Sequence, residues 1–173
     1  EASALLVRGV IIGLVAGLIL IIAQVPIFLG ALQLSPASME VEGLAQKYLQ
    51  IRVYSAPAAI ALFGITGWLI AKEKTRAVLL LQLVLNGINI ALDLVFVLKL
   101  GWGVEGVAIA TLIAEWSGLI FGLWLAREGF NNGYWRNWVQ IFDRARLLQM
   151  AKINSDIMIR SILLEIGFVS FLF

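Results

Sequence analysis

Apolar residues dominate five stretches of the chain, and polar or charged residues are concentrated between them. The stretches run from Leu5 to Leu32, Tyr48 to Ala71, Ala77 to Leu98, Val104 to Ala126, and Ile157 to the last residue. A helix needs roughly 20 residues to cross about 30 Å of hydrocarbon. Lipid admits only helices or closed barrels, and strict polar-apolar alternation is missing. The pattern therefore predicts an all-α, polytopic transmembrane helix bundle with four complete spans and the start of a fifth.

Polar side chains interrupt the third apolar stretch at a regular spacing. Gln82, Asn86, Asn89 and Asp93 follow one another at steps of four, three and four, so on a helix they form one stripe along a single face. Such a stripe is costly in lipid, because an ionised carboxylate at depth costs about 3 kcal/mol on insertion scales. We therefore expect the bundle to be arranged so that this stripe is covered.

The connection from Lys99 to Gly103 is short and holds two glycines, which predicts an antiparallel hairpin of the third and fourth spans. Counting inward at helical rise places Asp93 and Thr111 roughly 8 and 10 Å deep, with Asn89 and Glu115 at roughly 13 and 16 Å. With the two faces turned towards each other, we expect Asp93 to meet Thr111 and Asn89 to meet Glu115.

A carboxyl group at the depth of Asp93 must be hydrated, paired or protonated. Burial favours its neutral form, whereas a bound cation or hydrogen-bond donors favour its charged form, so its proton can be exchanged as its surroundings change. Amide and hydroxyl oxygens from Asn89 and Thr111 are suitable ligands for a hard cation such as sodium. We predict a cation- or proton-coupling site at these three residues, which are also the candidate sodium ligands.

A competing interpretation is that amides and hydroxyls only join helices, each bond adding about 0.6 kcal/mol on average. For Gln82 and Asn86 both interpretations stay open, and with Glu115 these two form a candidate additional polar cavity. For Asp93, with a second acid at Glu115 on the next span, we favour a functional role.

Small residues and prolines in the spans predict packing and bends. Gly9, Gly13 and Gly17 recur every four residues and predict a close helix contact in lipid. Pro26 and Pro57 lie inside predicted spans and should kink them, because proline lacks a backbone donor. We expect Arg52 to lie in the first turn of the second span, near the outer surface, and to extend its charge towards the headgroups.

Charge and composition narrow the class further. The chain is 61% hydrophobic and 14% charged, with a net charge of +2 and no cysteine or histidine, which excludes disulfides, thiolate metal sites and histidine-based nucleophile pairs. We predict no enzyme activity and no cofactor. The basic residues lie in loops, so their partner is the membrane surface and not nucleic acid. The positive-inside rule places Arg76 and Arg136 in the cytoplasm and Glu40 and Trp102 outside.

The region after the fourth span changes in character. Residues 127–152 are hydrophilic and arginine-rich, and they predict a cytoplasmic connection with an amphipathic helix. Asp156 and Arg160, one helical turn apart, predict a local ion pair at the start of the fifth span. Because the chain begins with Glu1 and ends inside an apolar run, we expect it to be part of a longer one.

The pattern N-x-x-N-I-x-L-D, which ends at Asp93, and the following W-G-V-E-G-V-A-I-A-T resemble the multidrug and toxin extrusion (MATE) transporters. The segment N-S-D-I-M-I-R-S-I-L-L-E is similar to their DNA-damage-inducible (DinF) subgroup. The resemblance implies twelve helices in two lobes. It assigns 1–126 to the third to sixth helices of the amino-terminal lobe, 127–152 to the interlobe connection and 153–173 to the start of the carboxy-terminal lobe.

The same resemblance implies a secondary antiporter that exports amphiphilic or cationic compounds in exchange for protons or sodium. It implies a coupling site at Asn89, Asp93 and Thr111, and an integral protein, expected to be monomeric, of a prokaryotic plasma membrane. The alternatives are a lipid-linked saccharide flippase of the same superfamily and a non-transporting membrane assembly subunit.

Overall fold

A computed structural model of the protein describes residues 2–34 and 38–131, together with the single positions 143, 148, 152, 155, 159, 163 and 164. Its main helices, in chain order, are α1 (Ala2–Ile22), α2 (Gln24–Leu34), α3 (Met39–Arg52), α4 (Ala56–Ala71), α5 (Thr75–Asp93), α6 (Gly103–Leu125) and α7 (Glu128–Asn131). Val53–Ser55 is a 3₁₀ turn between α3 and α4, and Leu94–Lys99 is a π-helical segment after α5. The described residues contain no strand, which confirms the prediction of an all-α fold.

Four helical segments in the described ranges are long and apolar enough to cross a membrane. They are Ser3–Ile22, Met39–Ala71, Thr75–Lys99 and Gly103–Leu125. Each overlaps one of the first four predicted spans, so the chain is an integral membrane protein. The predicted fifth span, the amphipathic helix and the Asp156–Arg160 ion pair lie outside the described residues.

The first predicted span differs from the structure at its outer end. Leu5–Leu32 is not one helix bent at Pro26, because a turn at Ala23 separates α1 from α2. Pro26 lies in the first turn of α2, where a residue without an N–H is tolerated because first-turn donors have no intrahelical acceptor. The break lies where an N–H at Pro26 would have bonded to the Ile22 carbonyl, so it is the interruption that Pro26 predicts, although the apolar span ends at Ile22 and not at Leu32.

The second span is longer than predicted and carries the kink that Pro57 predicts. Ser38 caps the start of α3 by accepting a 3.5 Å hydrogen bond from the Val41 N–H, and helical structure continues to Ala71 through the 3₁₀ turn. Pro57 cannot donate to the Val53 carbonyl, which the Ala56 N–H takes instead. The Ser55 hydroxyl donates to the Arg52 carbonyl at 2.7 Å, which satisfies a second backbone acceptor at this bend.

The predicted glycine ridge of α1 packs directly on α4. A Cβ atom added at Gly13 would lie 2.6 Å from the Ala61 nitrogen, and one at Gly17 would lie 2.2 Å from the Pro57 Cα. These distances are far below van der Waals contact, so only glycine permits this approach. The prediction that the ridge serves packing is confirmed.

On its other side α4 packs against α6, and together they form the centre of the core. Leu62, Ile65 and Leu69 are buried against Leu119 of α6 and Leu81 of α5. By contrast, almost none of the apolar window of α5 is covered. The helix that carries the polar stripe therefore contacts α6 along one side and presents its other faces outward.

The chain divides into two compact units, Glu1–Trp135 and Arg136–Phe173. All of the helices α1 to α7 belong to the first unit. The boundaries predicted at residues 126 and 152 stay predictions, since most of the second unit lies outside the described residues.

Candidate functional site

The site is positioned by the hairpin of α5 and α6. After Asp93 the helix widens into the π-helical segment, where the Leu100 N–H bonds to the Val95 carbonyl at 3.0 Å. The chain then turns through Gly101 and Gly103, whose φ angles of 69° and 55° are open to glycine at no steric cost. A residue with a side chain would be strained there. The predicted hairpin is thus confirmed, and its turn depends on both glycines.

Aromatic stacking holds this turn together. The rings of Phe96 and Trp102 stack with centroids 5.0 Å apart, and the Trp102 N–H donates to the Phe96 carbonyl at 3.0 Å. A Cβ at Gly106 would lie 3.1 Å from the Cβ atoms of both aromatic residues, so α6 begins close against them. The relative register of α5 and α6 is fixed by these contacts.

That register brings Asn89 to Thr111. The Asn89 Nδ2 donates to the Thr111 Oγ1 at 3.1 Å, and the Thr111 hydroxyl donates to the Val107 carbonyl at 2.9 Å. The expected pairing of Asp93 with Thr111 is therefore wrong. The expectation assumed regular α-helix up to the turn, whereas the i→i+5 turns of the π-helical segment change the number of residues per turn. Thr111 consequently lies opposite Asn89, which is one helical turn before Asp93 on α5.

Asp93 is half-buried, and its Oδ1 is buried with no hydrogen-bond partner among the described residues. Buried polar atoms are paired in the great majority of cases, so an unpaired carboxylate oxygen requires a physical explanation. A proton on the carboxyl group, a bound cation or a hydrogen-bond donor from another part of the protein would each give the Asp93 Oδ1 a partner. π-helical turns such as the one beside Asp93 are frequent at functional sites.

The chemistry of the neighbouring groups fits a hard cation. The Asn89 carbonyl oxygen is not used in the bond to Thr111, and the Thr111 oxygen retains one lone pair after one accepted and one donated bond. With the Asp93 carboxylate these groups supply oxygen ligands of the kind that sodium prefers. In the described part of the chain, no group of three or more His, Cys, Asp or Glu side chains could hold a metal. A cation here would thus bind one carboxylate, that of Asp93, together with amide and hydroxyl oxygens.

Glu115 does not meet Asn89 as expected, because it pairs with Arg52 instead. The Arg52 Nη1 lies 2.9 Å from the Glu115 Oε2 and also donates to the Ser55 hydroxyl. Both side chains are largely covered, with 26% of Arg52 and 14% of Glu115 exposed. Arg52 was expected in the first turn of the second span, but it is the last residue of α3. From there its guanidinium contacts Glu115 and does not extend towards the headgroups.

The other stripe residues are less enclosed. Gln82 lines a 300 Å³ pocket together with Glu115 and Thr66, so these polar groups do share a cavity. Asn86 is exposed on the outer face of α5 and does not line that pocket. Sequence reasoning missed the pair of Arg52 with Glu115, because 63 residues separate the partners and no local pattern links them.

A further ion pair closes the end of the bundle that the charge pattern assigns to the cytoplasm. The Lys74 ammonium contacts the Glu128 carboxylate at the start of α7, and it also lies 5.8 Å from the centre of the Trp68 ring. The hydrogen bond and charge of Lys74 lower the pKa of the Glu128 carboxyl below its ordinary value. This exposed pair is remote from the Asp93 site and ties the α4–α5 loop to α7.

Comparison with known proteins is consistent with this arrangement. The MatE family model matches residues 1–95. The chain is 35% identical to DNA damage-inducible protein F of Escherichia coli over 94% of its own length and 36% of that protein. It is 34% identical to Protein DETOXIFICATION 43 of Arabidopsis thaliana over 71% of its length and 23% of that protein.

The chain thus spans about a third or less of the length of these two relatives. No solved structure matches it. The family model nevertheless covers more than half of the chain, including Asn89 and Asp93. The chain belongs to the MatE family, and its relatives include DinF of Escherichia coli.

Proposed function

We propose that the protein is a secondary active antiporter that exports amphiphilic or cationic compounds in exchange for protons or sodium ions. The unpaired, buried Oδ1 of Asp93 carries this proposal. A membrane-buried acid is expensive to keep for packing alone, and this one follows Asn89, which is bonded to Thr111, by one helical turn on α5. Membership of the MatE family and the detoxification names of the plant relatives support a role in efflux.

Asp93 would be the group that takes up and releases the coupling ion. A proton would neutralise the carboxylate and remove the need for a partner, whereas sodium would bind the carboxylate together with the free oxygens of Asn89 and Thr111. An ion changes a conformational equilibrium only if it binds the two conformations unequally. We infer that ion binding at Asp93 favours the arrangement that releases substrate on the outside.

The remaining features of the proposal follow from family and composition. The substrates are small amphiphiles that reach the protein from the bilayer or its surface, and the protein works as a monomer in a prokaryotic plasma membrane. The bound species at the coupling site is the transported ion, so no resident cofactor is required.

The experiment is gradient-driven export from proteoliposomes that contain the full-length protein. A proton gradient and a sodium gradient are imposed separately on the wild type and on Asp93→Asn, with a fluorescent cationic amphiphile as the cargo. Glu105→Gln is the matched control, because it makes the same carboxylate-to-amide change in an exposed pair with Lys47. We expect one gradient to drive export by the wild type and the control, and Asp93→Asn to lose at least tenfold in rate.

Full gradient-driven export by Asp93→Asn would refute its coupling role. The alternative of a non-transporting assembly subunit is favoured by one observation, the exposure of Asn86 on the uncovered face of α5. That alternative predicts that neither gradient moves the amphiphile in wild-type vesicles.

A further inference from the structure

The guanidinium of Arg52 is only partly engaged by its protein partners. Its bonds to Glu115 and to Ser55 both leave from the same nitrogen, Nη1. A guanidinium has five N–H donors in a planar fork, so the edge formed by Nε and Nη2 takes no part in these two bonds, and the Tyr48 side chain is a third group that interacts with this guanidinium. About a quarter of the Arg52 side chain is exposed, so a ligand can still reach this cation.

Arg52 lies in the wall of a pocket of about 480 Å³ between α2, α3 and α4. Gln24, Tyr48 and Ser55 are the other polar groups in this wall, and most of the remaining lining is aliphatic or aromatic. The volume lies within the range of about 300 to 1,000 Å³ that is usual for sites of organic ligands.

The two residues of the ion pair line two different pockets. Arg52 lines the 480 Å³ pocket and Glu115 lines the 300 Å³ pocket, while Ala59 contributes to both walls. In the lining that the structure describes, Arg52 is therefore the cation presented to the larger pocket. The planar fork of arginine matches carboxylate and phosphate groups, which it can bind through two parallel hydrogen bonds, and a sulfonate presents oxygens of the same kind.

We propose that the 480 Å³ pocket binds an anionic amphiphile, with its carboxylate or sulfonate on the Nε and Nη2 edge of Arg52 and its apolar body against the walls from α2 and α4. Glu115, bound at Nη1, then partly neutralises the charge of the same guanidinium and keeps the affinity moderate. This site is separate from the coupling site, and it extends the proposed export function to a ligand class of opposite charge.

The two members of the ion pair have opposite predicted effects, which separates a binding role from a structural one. Arg52→Gln removes the fork and should weaken binding of an anionic amphiphile by roughly tenfold or more, as expected for loss of charged hydrogen bonds. Glu115→Gln removes the charge that neutralises Arg52 and should tighten binding severalfold. A pair that only held α3 on α6 would give the same sign for both variants.

The test is equilibrium binding to the full-length protein in nanodiscs of zwitterionic lipid. The probes are 8-anilinonaphthalene-1-sulfonate and N-phenyl-1-naphthylamine, which share one ring system and differ in the sulfonate. The variants are Arg52→Gln, Arg52→Lys and Glu115→Gln. Lys47→Gln is the matched control, since it breaks the exposed ion pair that also joins α3 to α6.

We expect the sulfonate to bind more weakly to Arg52→Gln and Arg52→Lys, more tightly to Glu115→Gln, and unchanged to Lys47→Gln. The neutral probe should bind all of them alike. Equal weakening of both probes, or weaker sulfonate binding by Glu115→Gln, would overturn the proposal. If Arg52→Gln does not fold, sulfonate binding by Arg52→Lys and Glu115→Gln still tests the proposal.

A second arm distinguishes the source of the anionic group. Phosphatidylglycerol added to the nanodisc will displace the sulfonate from the wild type if the pocket takes a lipid headgroup, and will not if it takes a freely diffusing amphiphile. Binding at equilibrium requires no ion gradient, so Asp93→Asn should keep the sulfonate site. A failed export experiment and a failed binding experiment can therefore be told apart.

Discussion

Replacement of Gly17 by alanine tests the packing of α1 on α4. The added Cβ would lie 2.2 Å from the Pro57 Cα and 2.3 Å from its nitrogen. Ordinary contact begins near 3.4 Å, so the approach is about 1.2 Å too close, and the obstacle is backbone that cannot rotate away. The two helices must separate around their closest contact. Overpacking of this kind costs about 1 to 3 kcal/mol, and we place Gly17→Ala near the upper end.

The assay is unfolding of the full-length protein in mixed micelles by titration with a denaturing detergent, together with its thermal midpoint. Gly67→Ala is the matched control, because Gly67 lies in α4 with no atom within 4 Å of its added Cβ. That variant should be neutral or up to about 1 kcal/mol more stable, since alanine is the better helix former. If Gly17→Ala proved as stable as Gly67→Ala, the helices would not approach as closely as described and the reasoning would be wrong.

Two further outcomes are expected. Lys74 lowers the pKa of Glu128 below 4.5, so this ion pair contributes stability above that value and loses it as the pH falls through the lowered pKa. The thermal midpoint of Glu128→Gln should therefore fall slightly below that of the wild type at neutral pH, and the difference should disappear as the pH falls below the lowered pKa of Glu128, whereas a constant difference would contradict the assignment. Asn89→Ala should cost only about 0.6 kcal/mol in stability yet abolish gradient-driven export, and unchanged export would exclude Asn89 as a ligand.

The sequence alone specified the class of the protein and most of its spans. Long apolar runs can be accommodated only as membrane-crossing helices, so the four spans followed from run length and composition. The glycine ridge of α1 could also be predicted from the sequence, because a repeat every four residues puts small residues on one face of a helix whatever the partner is. These features depend on local spacing, which a linear chain displays directly.

The contacts within the polar site could not be predicted from the sequence in the same way. Asn89 and Asp93 share a face by spacing, but which of them meets Thr111 depends on the π-helical segment and on the stacking of Phe96 with Trp102. A change in the number of residues per turn rotates one helix against the other, and sequence periodicity assumes that number is constant.

Long-range charge pairing was decided by tertiary structure alone. Arg52 and Glu115 come together because α3 and α6 pack side by side, and the proline-induced bend after Arg52 sets where its side chain can reach. Local sequence therefore determined which segments are helical, which face of each is polar and that an acid is buried. Only the packing of the helices decided which charges are neutralised, and that left Asp93 as the acid with an unpaired buried oxygen among the described residues.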